Sequence, residues 1–277
     1  MSTPIEPGTA EPLVLRVRAG TDPGRAMHAL TDPDEMSVWL AEHAEVSLPD
    51  HYRFWGRYTP GGAAPAQTLV EATSDRLRYT WMLDDVATEV DITLERVADG
   101  TLITLRQTGA DPMAAGSLGL LQTFWAATLA NLVDLLEERQ GLALTDLTSP
   151  QLGAETTIDA APSAVFSSLV EAEMVTAWFG FPTVITPEVG GRYGYGTITE
   201  LVEDQRLSVD YGPMGVASWE LEGSGGKTRI VMTQSGFDTD QPPYAAWLGA
   251  LSGLAELRRF HELASWQPIW VPAGQSS

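Results

Sequence analysis

Apolar residues recur at every second position in several segments of the chain, a period typical of strands that bury one face. The first such segment holds Leu13, Leu15 and Val17, and the same spacing returns over residues 77–83 and 89–95. Over residues 118–136 the apolar residues recur instead at steps of three and four, which is typical of one face of a helix. The pattern therefore predicts a sheet followed by one long helix.

Two short helices are predicted between the first strand and the rest of the sheet. Asp22 and Asp32 each precede a proline. An aspartate carboxylate accepts hydrogen bonds from the free N–H groups of a first helical turn, and proline already has the φ that a helix requires. The second of these helices is expected to run to Trp39.

The same order of elements occurs twice along the chain. Three residues recur at one constant spacing, in the pairs Pro23/Pro162, Leu30/Leu169 and Trp39/Trp178. Residues 101–109 and 228–236 also match, and Trp125 of the first long helix is paired with Trp247 of the second. A tandem duplication of one α+β domain with an antiparallel sheet is therefore predicted.

Composition sets the predicted domain boundaries. The stretch Thr148-Ser-Pro150 is typical of a linker, and both chain ends are rich in Pro, Gly and Ser. The predicted organisation is a disordered N-terminus over residues 1–12, a first domain over 13–140, a linker over 141–151, a second domain over 152–265 and a C-terminal tail over 266–277.

The charge of the chain excludes several classes of partner. With 37 acidic and 16 basic residues, the formal net charge is −21, which repels nucleic acid and anionic membrane surfaces. The uncharged stretch between Asp111 and Asp134 contains too many polar residues for a membrane span, so a buried helix is predicted. The first residues lack the features of a signal peptide, and the cytoplasm is the expected location. The oligomeric state stays open.

No catalytic, metal or cofactor motif stands out. The chain has no cysteine, and its four histidines, His28, His43, His51 and His261, do not form a helical i, i+4 pair. A nucleophile elbow is also missing. The glycine-rich run Gly190–Gly196 is flanked by strand-like residues on both sides, which favours a tight hairpin over a phosphate-binding loop. No metal, cofactor or catalytic residue is predicted.

The second copy carries a family resemblance. Its motifs Ala161-Pro162, Trp178-Phe179, Gly190-Gly191-Arg-Tyr193 and Thr228–Phe237 resemble the START-like helix-grip (SRPBCC) superfamily, and more narrowly the branch named after the activator of the ninety-kilodalton heat-shock ATPase. The resemblance implies a curved antiparallel sheet around a long C-terminal helix, with an apolar cavity between them. It implies ligand binding as the commonest role, and helix-grip proteins similar to this one include enediyne self-resistance proteins.

Strand alternation assigns a set of side chains to the cavity that this fold implies. The predicted ligand-binding residues are Tyr79, Trp81, Gln107 and Trp125 in the first copy, and Tyr211, Trp219, Met232, Gln234 and Trp247 in the second. Gln107 and Gln234 occupy matching positions and project inward. A buried amide is costly without partners, so a ligand, a water or a main-chain group must satisfy each of them.

These observations favour a protein that binds a bulky hydrophobic, aromatic or polycyclic small molecule, in one form an antibiotic against which it protects its producer. A polyketide cyclase or aromatase is the enzymatic alternative, and would need an inward tyrosine or arginine for acid–base help. A co-chaperone-like interaction protein is the third alternative, and would expose a large apolar patch.

Overall fold

A computed structural model describes residues 11–109 and 116–272. These residues form two compact units, one built from the chain up to Arg139 together with the residues from Trp270 onward, and one from Gln140–Ile269. Most of the predicted disordered N-terminus, and residues 273–277 of the predicted tail, lie outside the described residues.

The first domain contains one main sheet, a separate hairpin and three helices. Its elements are β1 (Leu13–Ala19), α1 (Pro23–Thr31), α2 (Pro33–Trp39), β2 (His43–Ser47), β3 (His51–Trp55), β4 (Gln67–Ala72), β5 (Arg76–Leu83), β6 (Val86–Val97), β7 (Gly100–Thr108) and α3 (Ser117–Leu136). The main sheet is antiparallel with the order β1-β7-β6-β5-β4, and β2 pairs with β3.

The predicted helix starts are confirmed. The Asp22 carboxylate accepts hydrogen bonds from the backbone N–H groups of Gly24 and Arg25, at 2.9 and 3.1 Å. Asp32 accepts one from the N–H of Glu35 at 3.0 Å. Each aspartate therefore satisfies N–H groups that have no partner inside the helix.

The second domain repeats this order of elements. They are β8 (Leu152–Ile158), α4 (Pro162–Val170), α5 (Ala172–Phe179), β9 (Arg192–Tyr193), β10 (Gly196–Val202), β11 (Arg206–Asp210), the 3₁₀ turn Gly212–Met214, β12 (Val216–Ser224), β13 (Lys227–Ser235) and α6 (Tyr244–Glu262). The sheet order is β8-β13-β12-β11-β10-β9. The chain is thus a tandem duplication of an α+β helix-grip domain, as predicted.

The glycine-rich run forms a hairpin, which confirms that prediction. Tyr193 of β9 pairs with Gly196 of β10, and the turn between them contains Gly194 at φ 58°. A residue without a Cβ adopts this left-handed conformation at low cost.

The two long helices correct one prediction from the sequence. In both domains the helix begins nine residues after the last residue of the preceding strand, at Ser117 after Thr108 and at Tyr244 after Ser235. Trp125 is the ninth residue of α3, whereas Trp247 is the fourth residue of α6. The ends of the helices show which positions correspond: Glu137 accepts a hydrogen bond from the N–H of Gly20, and Glu262 accepts one from the N–H of Asp159, the counterpart of Gly20. Trp125 therefore corresponds to Ala250, and Trp247 lies three residues, almost one turn, before that position. The pairing of Trp125 with Trp247 is therefore wrong.

Helix α3 is long and apolar enough to cross a membrane by length and composition alone, but 67% of its most apolar window is buried in the first domain. Its buried residues include Trp125, Leu129 and Leu132. This burial is what a core helix of a folded domain shows.

Residues on either side of the second domain make specific contacts. In the stretch predicted as a linker, Thr145 accepts a hydrogen bond from Trp247 and the carbonyl of Ser149 accepts one from Tyr244. After α6, the buried Glu256 carboxylate accepts hydrogen bonds from the Trp266 indole and the Ile269 N–H, at 3.1 and 2.9 Å.

Candidate ligand site

The candidate site lies on the concave face of each sheet, and the strand register defines equivalent positions there. One row crosses the first sheet through Gln107, Val90 and Tyr79, and the corresponding row of the second sheet runs through Gln234, Ala217 and Val209. We call these the middle rows. The inner rows, two residues further along the central strands, contain Leu105, Ile92 and Leu77 in the first domain and Met232, Trp219 and Leu207 in the second.

The concave face of the first domain is filled with aromatic side chains. Tyr79, Trp81 and Trp125 expose at most 1% of their surface. The ring of Trp81 lies 5.9 Å from Trp125, and the ring of Phe54 lies 5.1 Å from Trp81. All four side chains predicted for this copy come together, and they pack against protein groups.

Gln107 is satisfied entirely by its own domain. Its Nε2 donates to Thr88 Oγ1 at 2.9 Å, and its Oε1 accepts the indole N–H of Trp125 at 2.7 Å. Thr88 Oγ1 in turn donates to the carbonyl of Trp81 at 2.8 Å. Gln107 was expected to need hydrogen-bond partners, and the acceptor end of its amide is paired with the Trp125 indole. Sequence spacing could not identify which tryptophan makes this hydrogen bond.

The hydroxyl of Tyr79 is buried and has no hydrogen-bond partner among residues 11–109 and 116–272. Burial raises the pKa of Tyr79 well above its ordinary value, and the neighbouring Tyr52 raises it further. The phenol is therefore neutral and contributes an unsatisfied polar atom to the core.

The second domain replaces several of these side chains with smaller ones. In the middle row, Ala217 stands where the first domain has Val90, and Val209 stands where it has Tyr79. Tyr211, two residues after Val209, corresponds to Trp81.

The long helix of the second domain also carries smaller side chains than that of the first domain at one turn. With Glu137 aligned to Glu262, Phe124 and Trp125 of α3 correspond to Gly249 and Ala250 of α6. Two rings that fill the first domain are thus absent from the equivalent turn of the second helix.

At two other positions the second domain has the larger side chain, which is a tryptophan in both cases. Trp219 occupies the inner-row position of Ile92, and Trp247 corresponds to Gln122 of α3. The Trp219 ring lies 6.2 Å from Tyr193. Met232 is the register partner of Trp219, so these two side chains form the floor below the smaller residues of the middle row.

Accessible surface shows the net result of these exchanges. Val90, Ile92 and Gln107 expose 0%, 1% and 0% of their surface, whereas their counterparts Ala217, Trp219 and Gln234 expose 7%, 9% and 7%. Strands β12 and β13 are flanked by other strands on both sides. The accessible surface of these inward-facing side chains therefore lies on the concave face. We call this region of the second domain the recess.

Gln234 differs from Gln107 in its hydrogen bonds. Its Nε2 donates to the carbonyl of Met214 at 2.7 Å. Within the described chain no group donates to its Oε1. The Trp247 indole donates instead to Thr145 Oγ1 at 3.1 Å, and the Ser252 hydroxyl donates to the carbonyl of Gly249.

Tyr211 connects the recess with exposed aromatic surface. Its side chain is half-buried, and its ring lies 5.1 Å from Tyr195, which is 76% exposed. Burial raises the pKa of the Tyr211 phenol, with smaller contributions from Tyr193 and Tyr195. Tyr211 is therefore a neutral hydroxyl at physiological pH.

Further exposed apolar residues lie at the end of α5 and after it, and sequence analysis did not assign them to a site. We define the apolar rim as Phe179, Phe181, Val184, Val189 and Tyr195, all of which are exposed. The Phe179 and Phe181 rings lie 5.8 Å apart. The absence of polar residues among Trp178-Phe-Gly-Phe-Pro182 was the available signal.

Other possible sites fit less well. In the described ranges no group of His, Asp and Glu side chains could hold a metal ion. His261 Nε2 lies 3.0 Å from Ser168 Oγ, but Ser168 is fully buried and no substrate carbonyl can reach it. A groove of about 350 Å³ lies on the convex face and is lined by charged residues such as Arg206, Glu220 and Arg229.

These features define a helix-grip protein with two domains that differ in the filling of their concave faces. The chain belongs to the family described as "Activator of Hsp90 ATPase homolog 1-like protein", which it matches over residues 21–137 and 159–257. A comparison with curated proteins finds no match.

Several solved structures are similar to this chain. DynU16, a protein of the dynemicin biosynthetic locus, is 19% identical, with a TM-score of 0.43, and the match covers 90% of this chain and 99% of DynU16. CalU16 from Micromonospora echinospora is 20% identical, with a TM-score of 0.38 and coverages of 45% and 73%. The Aha1 dimer from Colwellia psychrerythraea is 18% identical, with a TM-score of 0.40 and coverages of 47% and 98%.

Proposed function

We propose that the protein binds a bulky hydrophobic or aromatic small molecule in the recess of the second domain. The observation that carries the proposal is the accessible surface of Ala217, Trp219 and Gln234, at positions whose counterparts in the first domain expose at most 1% of their surface. The first domain then serves as a filled structural unit, and one chain binds one ligand.

The chemistry of the recess suits such a ligand. Small-molecule sites are mostly apolar with a few polar groups that orient the ligand. Ala217, Val209 and Met232 provide apolar surface, Trp219 provides an aromatic face, and Gln234 provides an amide. A net charge of −21 disfavours an anionic molecule, so we expect the ligand to be uncharged.

Binding without turnover is better supported than cyclase or aromatase activity. Burial raises the pKa of Tyr193 and of Tyr211. A phenol with a raised pKa can donate a hydrogen bond but is a poor general base near neutral pH, where proton transfer is most efficient for groups with a pKa near 7. The two inward tyrosines of the recess thus fit an orienting role.

An interaction with another protein is the second candidate function, and the apolar rim favours it. Exposed apolar patches commonly mark interaction sites or the borders of ligand grooves. Because the Tyr195 ring contacts Tyr211, a ligand entering the recess would pass this rim. A ligand that binds in the recess accounts for both features, whereas a protein partner accounts only for the rim.

Self-resistance to an enediyne or polyketide antibiotic is the more specific form of the ligand-binding proposal. Gly212 and Gly215 flank Met214, whose carbonyl accepts the hydrogen bond from Gln234. If the protein sequesters an enediyne that cleaves it, incubation with the activated compound should release fragments cut at one of these glycines. An intact chain, under conditions in which DNA is cut, would exclude this form.

The binding proposal is tested by calorimetric titration of the full chain with neutral polycyclic probes such as 2-methoxynaphthalene. We expect one site per chain, and a stabilisation of about 2.7 kcal/mol when the free probe is at a hundredfold excess over its Kd. Val209→Tyr restores the bulk of Tyr79 in the recess and should abolish binding. The matched variant Tyr79→Phe in the first domain should bind as the parent does.

Two results would overturn the proposal. One is the absence of binding and of thermal stabilisation across a broad panel of polycyclic aromatics and polyketides. The other is unchanged binding in a Val209→Tyr variant that circular dichroism shows to be folded. Either result would favour the interaction-protein candidate, which Phe181→Ser in the rim would then test.

A further inference from the structure

We infer that the ligand of the recess carries a neutral O–H or N–H group that donates a hydrogen bond to Oε1 of Gln234. This inference rests on the proposed function and narrows the ligand to hydroxylated or N–H-bearing aromatic molecules. It follows from a comparison of the hydrogen-bond partners of two equivalent glutamines, Gln107 in the first domain and Gln234 in the second.

The orientation of the Gln234 amide is fixed by its neighbour. The group 2.7 Å from it is the carbonyl oxygen of Met214, which can only accept a hydrogen bond. A flipped amide would place two acceptor oxygens against each other, so Nε2 must face Met214. The free end of the amide is therefore Oε1, which is an acceptor.

The first domain shows which group this acceptor requires. The equivalent Oε1 of Gln107 accepts the Trp125 indole N–H at 2.7 Å, and the side chain is fully covered. In the second domain the residue that corresponds to Trp125 is Ala250, whose side chain has no donor, and the nearby Ser252 hydroxyl donates to the carbonyl of Gly249 within α6. The domain thus keeps the glutamine and lacks the indole donor at that level.

The surroundings of Gln234 supply no substitute. Its neighbours in the middle row are Ala217 and Leu152, both apolar. The residue is 93% covered but keeps accessible surface on the concave face, where Gln107 has none. Unlike the Tyr79 hydroxyl, Oε1 of Gln234 is accessible to solvent. A ligand that covers this oxygen must bring a donor of its own, because a buried acceptor without a partner is costly.

A matched pair of probes tests the inference on the full chain. 2-Naphthol has a hydroxyl donor, and 2-methoxynaphthalene has the same ring system without one. The ether is the more hydrophobic of the two, so burial alone favours it. We expect 2-naphthol nevertheless to bind about 2- to 10-fold more tightly, the range that corresponds to one net hydrogen bond.

The variant Gln234→Leu removes the acceptor and should bring the ratio of the two dissociation constants to one or below, while the ether still binds. The ratio of the two dissociation constants in the parent protein still tests the inference if Gln234→Leu fails to fold. Equal binding of both probes by the parent, or an unchanged ratio in the folded variant, would overturn the inference and leave the proposed function intact. Binding of neither probe would overturn the inference, and only the absence of binding across the broad panel would overturn the proposed function as well.

Discussion

Exchanging one side chain between the two domains measures whether the recess has free volume. Ala217 and Val90 occupy the same register position, next to Gln234 and Gln107 respectively. Ala217→Val adds two carbon atoms to the recess. The reciprocal variant Val90→Ala removes the same atoms from the filled core of the first domain.

The two variants should change the free energy of unfolding in opposite directions. Filling free apolar volume contributes about 0.8 kcal/mol for each buried carbon, so Ala217→Val should stabilise the second domain by up to ~1.6 kcal/mol. If the site were already close-packed, the same change would cost roughly 1–3 kcal/mol. Val90 is fully buried, and Val90→Ala should destabilise the first domain by roughly 2–3 kcal/mol, since a cavity cost adds to the lost transfer free energy.

Urea unfolding followed by circular dichroism provides the assay, with the midpoint compared at constant slope. Valine also has a higher strand propensity than alanine, worth up to ~1 kcal/mol. The exposed strand residue Ala87 supplies the control, since Ala87→Val reports this contribution without any filling. A lower midpoint for Ala217→Val than for the parent would refute the existence of the recess.

Two further predictions concern stability. Tyr79→Phe deletes a buried hydroxyl that has no partner in the described part of the chain, and should raise the urea midpoint of the first domain by the equivalent of up to ~1 kcal/mol; a clear decrease would show that the hydroxyl is bonded. Burial lowers the pKa of His261, against a smaller opposing effect of Glu262, so the unfolded chain takes up this proton first and stability should fall as the pH falls below about 6.5. His261→Gln should reduce the stability difference between pH 7.5 and pH 5.5, and an unchanged difference would contradict this assignment.

Much of the fold could be predicted because it depends on local and periodic signals. The Asp22 and Asp32 caps, the strand alternation and the repeated order of elements are all visible in the sequence. The inward direction of Gln107 and Gln234 follows from strand parity alone.

The contents of the two concave faces could not be predicted in the same way. A shift of about one helical turn separates Trp125 from Trp247, and apolar periodicity hardly changes over such a shift because the residues remain on the same helix face. Which indole reaches which glutamine therefore depends on three-dimensional packing. This packing also decides that the concave face is filled in the first domain and accessible in the second.

The most direct test of the central claim is the crystal structure of the full chain soaked with 6-bromo-2-naphthol. Anomalous scattering from bromine locates the probe without reference to protein density. The account predicts a single strong peak in the second domain, above Trp219 and between the middle row and α6, with the hydroxyl near Gln234. A peak inside the first domain, or peaks confined to the apolar rim, would contradict it.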